Sequence, residues 1–344
     1  MSGRTQSVRR GDVISSSAAI DCGVPQGSVL GPLLFLLYTA DLQRIIQQHQ
    51  LTPHLYADDT QIYGSCRPTD ADQLTARVAS CVDDVSRWMS ANRLQLNVAK
   101  TELLWCSNTR GVNRLPVSPM SLGGHFVDAS NSVRDLGIYL DADLSMRRHI
   151  DVVVSRCYAV LRQLRSIRQY VSLPVFQTLV TTLLLSRLDY GNAVLYGLPA
   201  VQLRRLQSVQ NAAARLIFGL KRSDHLTDAL ICLHWLRVPE RIQFKLAVLT
   251  YRALHGSAPP YLQTFSPLSG LSERRGLRSA DSRQLAVPRT HLSTIGDRAF
   301  PVAGAKIWNC LPDYVISSPS LSIFRARLKT HLFGFSFPDV AVQL

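Results

Sequence analysis

The hydrophobic pattern of this chain changes period near residue 143, and that switch divides what its two parts can become. Before it, apolar residues come in short β-prone runs between turn residues, interrupted by helical stretches. After it they recur at three- and four-residue spacing over long distances. Ile150, Val153, Val154, Cys157, Val160, Leu161, Leu164 and Ile167 trace one face of a helix, with Arg156, Arg162, Arg165 and Arg168 elsewhere on the cylinder. Leu203, Leu206, Val209, Ala213, Leu216 and Ile217 repeat the design, opposite a stripe of Arg204, Ser208, Asn211 and Arg215. Residues 256–298 are rich in Pro, Gly, Ser and Arg and read as a long loop; Ser320 to Phe333 reads as a closing helix.

The earlier part is more varied. Residues 5–22 alternate apolar and polar residues around Gly11-Asp12, which predicts a hairpin. A helix is expected from about Val29 to Gln48. Pro53 to Tyr63 then presents two β-prone arms flanking Asp58 and Asp59, the pattern of a hairpin with acids at its tip. Thr69 to Ala91 reads as an amphipathic helix, and Thr101 to Cys106 and Val133 to Tyr139 as strands. Strands and helices interleave, so the fold of this part is α/β or α+β.

The chain has 344 residues, 46% of them hydrophobic and 18% charged, enough for one sizeable core or two smaller ones. Lys and Arg outnumber Asp and Glu by 38 to 24, a formal charge of +14. That balance suits a polyanionic partner, and it equally suits a solvated basic surface. The 7 cysteines form no CxxC and no Cys/His pair at metal-ligand spacing, which fits a reduced, intracellular chain. The polar, basic residues 1–10 have no apolar run behind them, so no secretory leader is expected. The longest apolar runs, Val29 to Ala40 and Leu179 to Leu185, fall short of the roughly 20 residues that span a bilayer.

Adjacent aspartates repel unless a cation or protons relieve them. Mg²⁺ takes hard oxygen ligands and keeps positions open for phosphate, so carboxylates on a rigid hairpin suit phosphoryl transfer. A DD pair alone is usually a solvated turn or helix-start feature, as Asp83-Asp84 is here. The neighbours of Asp58-Asp59 set it apart. Gly23-Val24-Pro25-Gln26-Gly27-Ser28-Val29-Leu30-Gly31-Pro32-Leu33-Leu34-Phe35 precedes Tyr56-Ala57-Asp58-Asp59, and together they resemble the reverse transcriptases of non-LTR, LINE-type retrotransposons.

That resemblance implies an α+β fold: a partial polymerase palm over residues 1–142, a helical thumb-like region over 143–255, and a loop-rich C-terminal region with a terminal helix over 256–344. It implies an RNA-directed DNA polymerase in which Asp58 and Asp59 hold Mg²⁺ at a two-metal site. Pro25, Gln26, Gly27, Tyr56 and Ala57 would lie against the incoming nucleotide. Asn97 to Glu102 resembles the next palm motif and places Lys100 near the departing pyrophosphate, where a cation would offset developing charge; a solvated surface lysine is the alternative. Leu136 to Leu140 looks like the strand pair that grips the primer. The resemblance continues through Ser186 to Tyr190, Leu206 to Arg215, Leu233 to Val238, Tyr251 to Gly256 and Lys329 to Phe333. Arg156, Arg162, Arg165, Arg204 and Arg215 are expected to contact the backbone of an RNA template and DNA primer.

The family's third catalytic carboxylate sits on a strand well upstream of the Gly23 motif. Only 22 residues precede that motif, and Asp12 and Asp21 match the intervening hairpin instead. The expectation is therefore a chain inactive alone, completed by an N-terminal half that supplies fingers and the third aspartate. The other reading is a basic nucleic-acid-binding remnant without catalysis. The family implies action in the nucleus.

Overall fold

The structure is a computed structural model and describes residues 3–20, 27–107, 119–122, 125–268, 283–290 and 292–338. The chain divides into two compact units, Met1–Asn131 and Ser132–Leu344. All its sheets, among the described residues, are antiparallel strand pairs.

The first unit opens with a nested ribbon. Strands β1 (Arg4–Gln6) and β4 (Ala18–Ile20) pair outside β2 (Arg9–Arg10) and β3 (Val13–Ile14). Val8, Val13 and Ile14 are all exposed, so the ribbon buries little. The helix expected over Val29 to Gln48 is two helices, α1 (Gly31–Tyr38) and α2 (Asp41–Gln48). The break falls at Thr39, where φ of −97° and ψ of 6° leave helical geometry, and the Thr39 hydroxyl donates to the Phe35 carbonyl at 2.9 Å. Ser28 sits ahead of α1 and accepts the Gly31 N–H on its hydroxyl at 3.1 Å, doing the work of a cap. Helix α1 carries no buried residue, whereas α2 buries Leu42 and Ile46.

Strands β5 (Thr52–Tyr56) and β6 (Asp59–Tyr63) form the expected hairpin, in register from Thr52–Tyr63 to Tyr56–Asp59. Its base stands on a small core of Leu42, Ile46, Leu51, Leu74, Cys81 and Val85, with Ile62 packed against it. Half of that core comes from α3 (Ala71–Ala91), whose apolar spacing follows the sequence expectation. Gly64 closes the hairpin where a Cβ would stand 2.8 Å from Leu51 and 2.9 Å from Leu74, so only glycine fits without displacement. Asp84 bridges His49 and Arg87, tying α2 to α3; the His49 hydrogen bond leads in holding its carboxyl below the usual range. Thr101 to Cys106 is not a strand. Only Leu103 makes a bridge, to Ala129, and a 3-10 turn at Val98–Lys100 precedes it. Strands β7 (Met120–Leu122) and β8 (His125–Val127) end the unit, with Met120 and Leu122 packed on Val82 of α3.

The second unit begins with the hairpin β9 (Ser132–Asp135) and β10 (Ile138–Asp141), turning at Leu136 and Gly137 with φ +42° and +86°. Two positive φ values are those of a type I′ turn, one of the two favoured two-residue hairpin loops. Helix α4 (Arg147–Ile167) follows and buries Ile150, Cys157, Val160, Leu161 and Leu164. Helix α5 (Leu173–Val180) runs through a π-helical turn at Thr181–Leu185 into α6 (Ser186–Asp189). Then come α7 (Ala200–Phe218), α8 (Thr227–Cys232) and α9 (Val238–Leu254). The long loop expected over residues 256–298 contains a Pro267–Leu285 bridge and the short helix α10 (Ser293–Gly296); residues 269–282 lie outside the described part. Helices α11 (Phe300–Asn309), α12 (Asp313–Ile316) and α13 (Leu321–Ser336) complete the unit, and the Ser320 hydroxyl caps α13 by accepting the Ile323 N–H.

Several stretches whose roles the sequence left open turn out to be joints between these helices. In Ser186 to Tyr190, the Asp189 carboxylate takes two hydrogen bonds from Arg241 of α9, and the Tyr190 hydroxyl donates to the Leu136 carbonyl in the β9–β10 turn. In Leu206 to Arg215, buried Gln210 donates to the Leu236 carbonyl at 2.8 Å, while Gln207 accepts the Val238 N–H at 2.8 Å. Those two glutamines fix the chain entering α9. Tyr251 stacks on His255 and Phe324, and its hydroxyl donates to the Ser318 carbonyl at 3.1 Å, so α9 also anchors the chain before α13.

Candidate active-site hairpin and nucleic-acid interface

Tyr56, Ala57, Asp58 and Asp59 form the contiguous, exposed tip of the β5–β6 hairpin. Tyr56 and Asp59 are its last cross-strand pair, and Ala57 and Asp58 are the two loop residues. Ala57 has φ +53°, a backbone a two-residue loop requires and glycine adopts most easily. Asp58 is thus a turn residue and Asp59 a strand residue, side by side where solvent or phosphate can reach both. Their hard oxygen atoms are the correct donors for a divalent ion. Among the described residues no cluster of three or more His, Cys, Asp or Glu accompanies them, so in number they supply only part of a coordination shell.

Gly27 is exposed with φ +85°, and among the described residues nothing lies within 4 Å of where a Cβ would stand. Pro25 and Gln26 lie outside the described residues. Lys100 is exposed at the end of the Val98–Lys100 turn, and among the described residues no hydrogen bond or ion pair links it to Asp58 or Asp59.

In the second unit, α4 and α7 pack against each other and carry the arginines. Arg156, Arg162, Arg165 and Arg204 are exposed. Arg215 is half-buried and donates to the Lys221 and Arg222 carbonyls at 3.3 and 3.5 Å, closing the turn after α7. The structure sorts these residues into two clefts. Arg162, Arg165 and Arg215 share one with Arg168 and Arg222. Arg156 lines another with Arg134, Arg187 and His149. Arg204 lines neither. Sequence reasoning missed Arg134, Arg187 and Arg222 because they sit in a strand, a short helix and a turn, where helical periodicity gives no sign of them.

A family profile described as reverse transcriptase (RNA-dependent DNA polymerase) matches residues 10–140. Those residues belong to the reverse transcriptase family. The segment is of the non-LTR, LINE type, in agreement with the resemblance carried by the Gly23 and Tyr56 motifs. The chain is 31% identical over 264 residues to the probable RNA-directed DNA polymerase from transposon BS of Drosophila melanogaster, covering 67% of this chain and 27% of that protein. It is 29% identical over 236 residues to the probable RNA-directed DNA polymerase from transposon X-element of the same species, covering 64% and 24%. The RNA-directed DNA polymerase from mobile element jockey of Drosophila funebris is 29% identical over 154 residues, covering 43% and 16%. The chain therefore spans about a quarter of the first two relatives' length. No solved structure matches it. The reverse transcriptase family acts on RNA and DNA and generally uses a divalent metal. Among the described residues no helix is long and apolar enough to cross a membrane.

Proposed function

We propose that this chain is part of an RNA-directed DNA polymerase of a non-LTR retrotransposon, with the β5–β6 hairpin as the metal-bearing element of its palm. The observation that carries the reading is the exposed Asp58-Asp59 tip standing on a packed base inside the segment that matches the reverse transcriptase profile. Asp58 and Asp59 would hold Mg²⁺, which when bound neutralises charge on phosphate oxygens. Further ligands would come from outside this hairpin and from the substrate itself. Pro25, Gln26 and Gly27 would meet the incoming nucleotide, since a glycine without a Cβ lets backbone approach a ligand. Tyr56 and Ala57 would lie under the same nucleotide, and Lys100 would present positive charge toward the departing pyrophosphate. The helices from α4 onward act as a thumb-like region whose exposed arginines follow the template-primer backbone.

Fusing the chain behind an upstream reverse transcriptase segment from one of its relatives tests the reading. Metal-dependent primer extension should appear in the fusion and vanish with Asp58→Asn, while binding to template-primer persists. Extension that survives Asp58→Asn would remove the hairpin from the active site. The non-catalytic reading, a basic binding module, predicts binding in both proteins and extension in neither.

A further inference from the structure

We propose that the cleft between the C-terminal halves of α4 and α7 is a binding site for single-stranded nucleic acid, holding one unstacked nucleotide with its phosphate on the arginines and its base on the apolar floor. The inference rests on the nucleic-acid reading above and specifies which form of the strand is held. The cleft has a volume of about 710 Å³, within the range of pockets that enclose a small organic group. Its walls carry Arg162, Arg165, Arg168, Arg215 and Arg222, and among the described residues no carboxylate lines it.

The five guanidinium groups are not equivalent. Arg168 lies 5.0 Å over the Phe176 ring and donates to the Ile217 carbonyl at 3.2 Å, and Arg215 holds the turn after α7, so both are braced in place. The side chains of Arg162, Arg165 and Arg222 make no hydrogen bond or ion pair among the described residues. Asp224, the nearest acid in sequence, is instead occupied with the Lys221 N–H at 2.7 Å. Positive charge collected without a counter-ion around one concavity is relieved by an anion, and guanidinium suits phosphate through paired donors.

The floor decides between a duplex and a single strand. Leu161, Ala212, Leu216 and Leu220, with Tyr158 at one side, form an apolar surface that a duplex backbone would not cover. An unpaired base would cover it, because single strands splay their bases onto apolar, aromatic and guanidinium surfaces while their phosphates follow basic grooves.

The test is fluorescence anisotropy of the full chain with labelled single-stranded RNA, single-stranded DNA and a blunt RNA–DNA hybrid, each of about 12 nucleotides. Arg222→Ala and the floor-filling Ala212→Phe should each weaken single-strand binding about ten-fold and leave hybrid binding within about two-fold. Circular dichroism checks the fold, and Arg222→Ala, in a surface turn, keeps the test decisive if Ala212→Phe misfolds. The RNA and DNA arms identify which strand the site takes. Equal losses on single strand and hybrid, or no loss on either, would overturn the pocket while leaving the thumb-like reading intact. Displacement of the oligonucleotide by heparin equally well in Ala212→Phe and the unaltered chain would reduce the site to bare charge. No binding of any nucleic acid by the unaltered chain would overturn the broader reading as well.

Discussion

The Asp189 carboxylate and the Arg241 guanidinium face each other through two parallel hydrogen bonds, joining α6 to α9 across 52 residues of chain. Arg241 is largely buried and Asp189 is 40% exposed, so the pair is worth less than an enclosed one and more than a surface contact. Arg241→Met should lower unfolding stability by about 1–2 kcal/mol, read as a shifted urea midpoint with unchanged slope. An unshifted midpoint would show that the joint carries no stability.

Gln210 sets a sharper test. It is fully buried and its amide is the partner of the Leu236 carbonyl. Gln210→Leu leaves that carbonyl without its partner and should cost about 1–3 kcal/mol by the same measurement. A neutral result would mean that water replaces the amide.

Gly137 tests the hairpin turn. Its φ is +86°, and an added Cβ would stand 3.2 Å from the Tyr190 ring. Gly137→Ala should destabilise the second unit by about 1–2 kcal/mol, and by less in a Tyr190→Ala background, where no ring meets the new Cβ. Calorimetry of the single and double variants separates backbone strain from the ring contact.

His149 predicts a pH dependence. It is buried, and burial pushes its pKa below the ordinary 6.5, partly countered by nearby Asp141. The neutral ring accepts the Tyr139 N–H on Nδ1 at 3.5 Å. Because the folded pKa lies below the unfolded one, the unfolded chain binds the proton more readily. Stability should therefore fall as pH drops through about 6.5 and level off below the folded pKa, with a contribution of the same sign from His331, whose pKa burial also lowers. His149→Gln should flatten the profile between pH 7.5 and 5; an unchanged profile would assign it elsewhere.

Cysteine labelling tests the burial pattern. Cys81 and Cys157 are fully enclosed, and burial pushes both thiols up to about 11. Iodoacetamide at neutral pH should modify Cys66, Cys232 and Cys310 in the folded chain and reach Cys81 and Cys157 only with denaturant. Mass spectrometry of the digested protein reads each site.

The sequence was most informative where one physical rule governed a whole stretch. The hairpin around Asp58-Asp59 was legible because β-prone arms flank a two-residue turn, and α3, α4 and α7 because their apolar residues repeat at helical spacing. The break at Thr39 was not, since the apolar run continues through it and no Gly or Pro marks the spot. Thr101 to Cys106 has strand-like composition but finds only one bridging partner, at Leu103. Gln210 could have been noticed: it falls between Val209 and Ala213 on the buried face, where a polar residue must have a partner. Arg222 could not, because a turn has no period to betray it.

The π-helical turn at Thr181–Leu185 has a consequence at the level of the gene. Bonding to the fifth residue instead of the fourth takes up one residue more than an α-helix would use. It behaves as a single-codon insertion that was kept. Deleting one residue there would turn the wide turn back into a regular one with the helix after it still in phase, so Asp189 would still reach Arg241 and Tyr190 the Leu136 turn. In this segment, then, a loss of three bases would do less damage than the same loss inside α4 or α7, where everything after it would rotate by roughly 100°.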